Sequence, residues 1–163
     1  APALIAFNWG LSSLGRIGWA LAFIYVAGAA LRLARFNAHL GTTDSRYFVG
    51  LASPAGAAVV ISLVWLCFDN GYTAAGNVFE VTLFAAIVVG LSGLLMVTNI
   101  KYNSFKGFDF SGRVPFALFL IVPVLFAVVL LNPPLIIFLV ALGYALSGPI
   151  LRIVRGKPQE ASE

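Results

Sequence analysis

The chain has 163 residues, of which 61% are hydrophobic and only 10% charged, and its mean hydropathy is +0.99. That composition excludes a soluble globular domain of this size and identifies an integral membrane protein. The formal net charge of +4 does not indicate nucleic acid, because the basic residues fall at the ends of apolar runs and form no surface stripe. Cys67 is the single cysteine and sits in an apolar run, so neither a disulfide framework nor a cysteine metal cluster is expected. Apolar stretches of about 20 residues without in/out alternation favour helices over barrel strands, since backbone in lipid must bond to itself.

In chain order, residues 1–9 (APALIAFNW) read as the end of a helix that begins before this numbering, so the chain reads as a fragment. The first full span is expected over Arg16–Phe36, about 31 Å at 1.5 Å per residue, enough to cross a bilayer. The second should begin at LASPAG, with Ser53 as N-cap and Pro54 at the first helical position, and run to Phe68. Val78–Ile100 is the third. Pro115 opens the fourth, which carries Pro123 as an expected kink and stops near Asn132. The tight turn NPP at 132–134 leads into the fifth, which ends near Val154. The expected fold is therefore all-α: a polytopic helical membrane protein comprising the end of one helix plus five transmembrane helices. Residues 1–155 form the membrane domain, and the polar stretch 156–163 is expected to be a disordered cytoplasmic tail.

The basic residues orient these spans, because cytoplasmic loops carry an excess of Lys and Arg. Arg32, Arg35 and Arg46, then Lys101, Lys106 and Arg113, then Arg152, Arg155 and Lys157 all fall on one side, and only Arg16 lies opposite. The segment 69–80, with Asp69 and Glu80, belongs to the outer side.

The same cytoplasmic side gathers the polar chemistry. Arg32 and Arg35 are three residues apart and share one helix face. Both can snorkel to lipid phosphates, yet Arg32 lies a turn deeper between Leu31 and Leu33, where a cation more often faces a protein cavity. Ser53 is most simply an N-cap, and free amides at that helix start also suit an anion. His39 reads as an interfacial residue, with no second histidine to complete a metal site. Taken alone, Tyr102, Ser104 and Lys106 read as interfacial anchors of an ordinary loop. Gly90 and Gly93, with Ser92 between them, are expected to allow close helix packing. Asp44 and Asp109 read as turn formers or partners of nearby cations.

Three blocks, LRLARFN, RYFVGLASPAGA and NIKYNSFK, in that order, resemble the second half of the CDP-alcohol phosphatidyltransferase family, in its bacterial serine-accepting branch. The similarity runs to about residue 113; beyond it only the hydrophobic pattern matches. Ala52 stands where the family usually has proline. The family signature D-G-x2-A-R-x8-G-x3-D-x3-D is not in the chain: Ala34-Arg35 repeats its A-R pair without the flanking glycines and aspartates. The resemblance therefore places the metal-binding and base aspartates upstream, in an eight-helix enzyme.

The resemblance implies transfer of a phosphatidyl group from CDP-diacylglycerol to L-serine, with Mg2+ or Mn2+ held by the upstream aspartates. It further implies a homodimer in the bacterial cytoplasmic membrane, among membrane lipids, with the active site facing the cytoplasm; no nucleic acid is expected as a partner. The small-residue patch AGAA at 27–30 is a helix-packing candidate. Arg32 and Arg35 are expected as anion clamps with Asn37 as a hydrogen-bonding partner. Tyr47, Ser53, Asn99, Lys101, Tyr102, Ser104 and Lys106 are expected to line the acceptor pocket or bind lipid phosphate. The division of these residues between serine carboxylate and phosphates stays open. So does another acceptor, glycerol phosphate or inositol. A small anion transporter is the competing reading; against it, the spans lack internal symmetry and broken-helix pairs. A structural subunit would leave the polar loops unexplained.

Overall fold

The structure is a computed structural model that describes residues 1–38, 47–72, 79–103 and 116–154. Their order is α1 (Pro2–Trp9), a 3-10 turn (Leu11–Leu14), α2 (Arg16–Ala38), β1 (Tyr47–Val49), α3 (Ser53–Asp69), α4 (Phe79–Val97), β2 (Lys101–Asn103), α5 (Phe116–Leu131) and α6 (Pro133–Val154). The expected helices are all present, within a few residues of their expected bounds. Among the described residues, Arg16–Ala38, Phe79–Val97 and Pro133–Leu151 are long and apolar enough to cross a membrane; Ser53–Asp69 is a shorter apolar helix of 17 residues. Polar residues mark the turns: the Leu135 amide donates to Asn132 Oδ1 at 3.3 Å, which starts α6 directly after α5. His39, Arg46, Asp44, Asp109, Arg113 and the tail 156–163 lie outside the described residues.

Large apolar side chains point outward, among them Phe23, Phe126 and Leu131, as in a protein whose solvent is lipid. Much of the interior is built from small residues, packed around larger ones such as Leu11, Leu51 and Met96. Ala3, Ala6, Val59, Val60, Ala85, Ala86 and Val89 are buried. Van der Waals contact between backbones has to replace the hydrophobic drive that lipid removes. It is tightest between α2 and α4: a side chain at Gly28 would fall on the Gly93 carbonyl, and one at Gly93 would sit 2.6 Å from Tyr25 Cα. Gly90 faces the Leu21 side chain in the same contact, and Ser92 donates to the Val88 carbonyl at 2.8 Å within its own helix. The packing role expected of Gly90 and Gly93 is thus what the structure contains. The AGAA patch does pack helix on helix, but Gly28 is spent on α4 of the same chain.

α1 packs against both α2 and α3 at the end of the bundle where α3 finishes, and α3 packs against α4 and α6. Trp9 pins that end by donating its indole N–H to the Tyr72 carbonyl at 2.9 Å. α1 therefore runs with its C-terminus at the α3 C-terminus and its N-terminus directed towards the opposite end of the bundle.

Two features depart from the expectation. The helices are joined by a two-stranded antiparallel ribbon, in which Tyr47 pairs with Asn103, Phe48 with Tyr102 and Val49 with Lys101. Strands of three residues carry no readable periodicity, and this pairing links segments far apart in sequence. Second, Ser53 is not the N-cap. Ala52 occupies that position without a side-chain cap bond, and Ser53 is the first helical residue. The Ser53 hydroxyl is engaged across the bundle instead.

Replacing Gly93 with leucine should force α2 and α4 apart and cost about 2 kcal/mol or more. Thermal unfolding in detergent would show a lowered midpoint for Gly93→Leu. Gly143→Leu, where nothing lies within 4 Å of the added Cβ, should stay near the parent value.

Candidate functional site

The two polar loops meet because the entry to α3 is bonded onto the exit of α4. Gly50, at φ 81, donates its amide to the Ile100 carbonyl at 2.8 Å, and Leu51 donates to the Leu95 carbonyl at 3.1 Å. The second bond gives a partner from the α3 entry to one of the last carbonyls of α4, which have none within the helix. Thr98 Oγ1 donates to the same carbonyl at 2.8 Å, ending α4 three residues before the expected Ile100. Gly50 is needed on two counts, its left-handed backbone and the Met96 carbonyl standing where a Cβ would be. Leu51, Met96 and Ile100 are buried and form the floor under this junction. The ribbon continues the same pairing outward.

With α3 fixed to α4 by these bonds, and α2 fixed to α4 by the glycine contact, the Arg32 side chain reaches the α3 N-terminus. Its Nη1 donates to Ser53 Oγ at 3.0 Å across 21 residues of sequence. The Arg32 side chain is half-buried, and its Nε–H is enclosed with no hydrogen-bond partner among the described residues. The first turn of α3 adds backbone amides with no side-chain cap, at the positive end of the helix dipole. A cation, an orphaned N–H and a helix N-terminus together form a donor set for an oxyanion, either a carboxylate or a phosphate.

The expected site residues divide as follows. Arg32 and Ser53 are brought into direct contact. Arg35 is exposed one turn farther along α2, on the same side of the helix. Asn37 is also exposed, but it lies about 140° round the helix from Arg32, so it does not join that group. Asn99 is exposed between α4 and β2, beside the junction. Tyr47, Lys101 and Tyr102 lie on the ribbon, which brings their two loops side by side. Ser104 and Lys106 lie outside the described residues.

Among the described residues no group of three or more His, Cys, Asp or Glu side chains is placed to hold a metal ion. The groups around Arg32 are donors and cations, and do not fit a divalent metal.

Fold and site together define a polytopic helical membrane protein whose cations and helix N-terminus converge at one end of the bundle. No protein-family model matches the chain. Curated proteins do: it is 38% identical over 134 residues, 82% of this chain and 53% of the relative, to a CDP-diacylglycerol–serine O-phosphatidyltransferase of Helicobacter pylori. Enzymes of the same name from Mycobacterium leprae and Methanocaldococcus jannaschii are 30% identical over 88% of the chain and 35% identical over 64% of it; the chain covers 48% and 43% of their lengths. The chain belongs to the family of these CDP-diacylglycerol–serine O-phosphatidyltransferases. It spans about half the length of the curated relatives it matches.

Ser53→Ala removes the acceptor of the Arg32 Nη1–H and leaves a second guanidinium donor unpaired. A loss of about 1–3 kcal/mol is expected, read as a lowered unfolding midpoint in detergent. Ser53→Thr, which keeps the hydroxyl, should recover most of it.

Proposed function

We propose that the protein at full length transfers the phosphatidyl group of CDP-diacylglycerol to L-serine, giving phosphatidylserine and CMP. The observation that carries this reading is the alignment of most of the chain with relatives bearing that enzyme name. The Arg32–Ser53 junction supports it with chemistry, because both substrates bring anionic oxygens to the membrane surface.

In the reaction, the serine hydroxyl oxygen forms a bond to the phosphorus that carries diacylglycerol. The bond from that phosphorus to the bridging oxygen breaks, and CMP leaves with the electron pair. The serine hydroxyl proton passes to a base. Arg32 and Arg35 hold negative oxygen in place while charge builds on the leaving group, as fixed cations in a water-poor site do. Asn99, Lys101, Tyr102, Ser104, Lys106 and Tyr47 supply the polar surroundings of the acceptor or of lipid phosphate, while Asn37 stands outside the Arg32 group. The base and the ligands of Mg2+ or Mn2+ are carboxylates that the described residues do not furnish, so no step here is routed through the metal.

The same reading places the site at the cytoplasmic face of a bacterial cytoplasmic membrane, because the basic residues concentrate at that end of the helices. A homodimer is the assembly the resemblance implies, and Gly28 is not its seat, being packed against α4.

Membranes containing the full-length protein, supplied with Mg2+ or Mn2+, should release CMP from CDP-diacylglycerol when L-serine is added. Release driven instead by glycerol phosphate or inositol would reassign the acceptor, and anion flux without CMP release would replace the enzyme with a transporter. Arg35→Ala should lower turnover at least about tenfold, or about 1.4 kcal/mol of transition-state stabilisation, at normal membrane levels. Wild-type kinetics in that variant would remove Arg35 from the site.

A further inference from the structure

Two glycines bracket Ser53, Gly50 three residues before it and Gly56 three residues after it, and both lean on the same residue of α4. Met96 is the single methionine of the chain and is 2% exposed. Its carbonyl stands where a Cβ of Gly50 would be, and its terminal methyl, Cε, stands where a Cβ of Gly56 would be. Leu51 Cδ2 and Met96 Sδ lie 3.6 and 3.9 Å from that second position, and Leu51 is itself fully buried. The methyl thus has no open space to retire into, although methionine is an adaptable side chain.

The bonds from Gly50 and Leu51 to the Ile100 and Leu95 carbonyls fix where α3 begins. They leave its tilt open, because a helix held at one end can still swing about that end. The Gly56 amide donates to the Ala52 carbonyl at 2.9 Å, so the first turn is regular helix and moves as one piece. Ser53 and Gly56, three apart, share a face of that turn. The seat of Gly56 on the Met96 methyl is therefore a second point of support, and it sets how close the Ser53 hydroxyl comes to α2. The Arg32 Nη1 to Ser53 Oγ bond is 3.0 Å long, and a shift on the order of 1 Å would end it.

We infer that Met96 is a positioning residue for the oxyanion site: its methyl, seated in the slot that Gly56 leaves, sets the tilt of the α3 N-terminus and with it the reach from Ser53 to Arg32. The role given to the site rests on the phosphatidyl-transfer reading above. Met96 itself touches no substrate. An unbranched thioether suits the task, because leucine branches one atom earlier and does not reach the slot.

The tests use Gly56→Ala, which pushes a methyl into the slot, and Met96→Leu, which withdraws one, in the full-length protein in membranes. The substrate whose KM rises in Ser53→Ala should show a KM raised about threefold to tenfold in each, with kcat within about twofold of wild type. In the double variant the alanine methyl takes the place of the lost Cε, so its KM should lie closer to wild type than that of either single variant. Unchanged KM values in Ser53→Ala or in either single variant, or losses that multiply in the double variant, would overturn the assignment. A second cycle, read by thermal unfolding in detergent, does not depend on activity. Ser53→Ala loses the bond to Arg32; in a Met96→Leu background that bond is already weakened, and the drop in midpoint on Ser53→Ala should be smaller by at least about 2 °C. Equal drops in the two backgrounds would make Met96 a filler of the core and overturn the inference. If the wild type shows no serine-dependent CMP release, the proposed reaction fails, and this unfolding cycle still decides whether Met96 holds Ser53 against Arg32.

Discussion

A guanidinium carried on an apolar helix has to be met by oxygen, and the meeting of Arg32 with Ser53 is the constraint on which the functional end of this bundle depends. In water the bond would contribute little. At the edge of a lipid phase it decides where the side chain lies, because the alternative is an unpaired charge among acyl chains. The bond crosses from α2 to the first turn of α3, and those two elements are brought into range through α4, which both of them pack against. The site is therefore a product of the whole packing and not of one helix end.

That packing rests on small residues for a reason specific to lipid. Side chains and acyl chains attract one another about equally, so helices gain by bringing backbones together and by closing polar groups onto each other. Gly28 and Gly93 allow the first at the α2–α4 contact. The amides of Gly50 and Leu51, given to carbonyls near the end of α4, accomplish the second. α1 fits between α2 and α3 and is anchored by the Trp9 indole. Each of these contacts shortens a distance that Arg32 would otherwise have to span.

The stretch also shows a division of labour. Its described polar groups are donors and cations suited to oxyanions, and its described carboxylates gather into no metal-binding group. The proposed transfer from a pyrophosphate lipid to a zwitterionic amino acid would need both kinds of group. The chain covers about half the length of the relatives it matches.

Membrane class and helix positions were legible in the sequence, because each follows from local composition: apolar length, with proline and asparagine at turns. Gly90 and Gly93 were legible as packing residues for the same local reason, and Arg32 stood out as a cation too deep for its neighbours. The partners of these residues were not legible. That Gly28 meets Gly93, that Ser53 receives an arginine instead of capping its own helix, and that Tyr47–Val49 pairs with Lys101–Asn103 are all matters of contact between distant segments. Composition and period determine which element forms and how deep it sits; only tertiary packing decides which face meets which, because in lipid many apolar faces are nearly equivalent until small residues and hydrogen bonds choose among them.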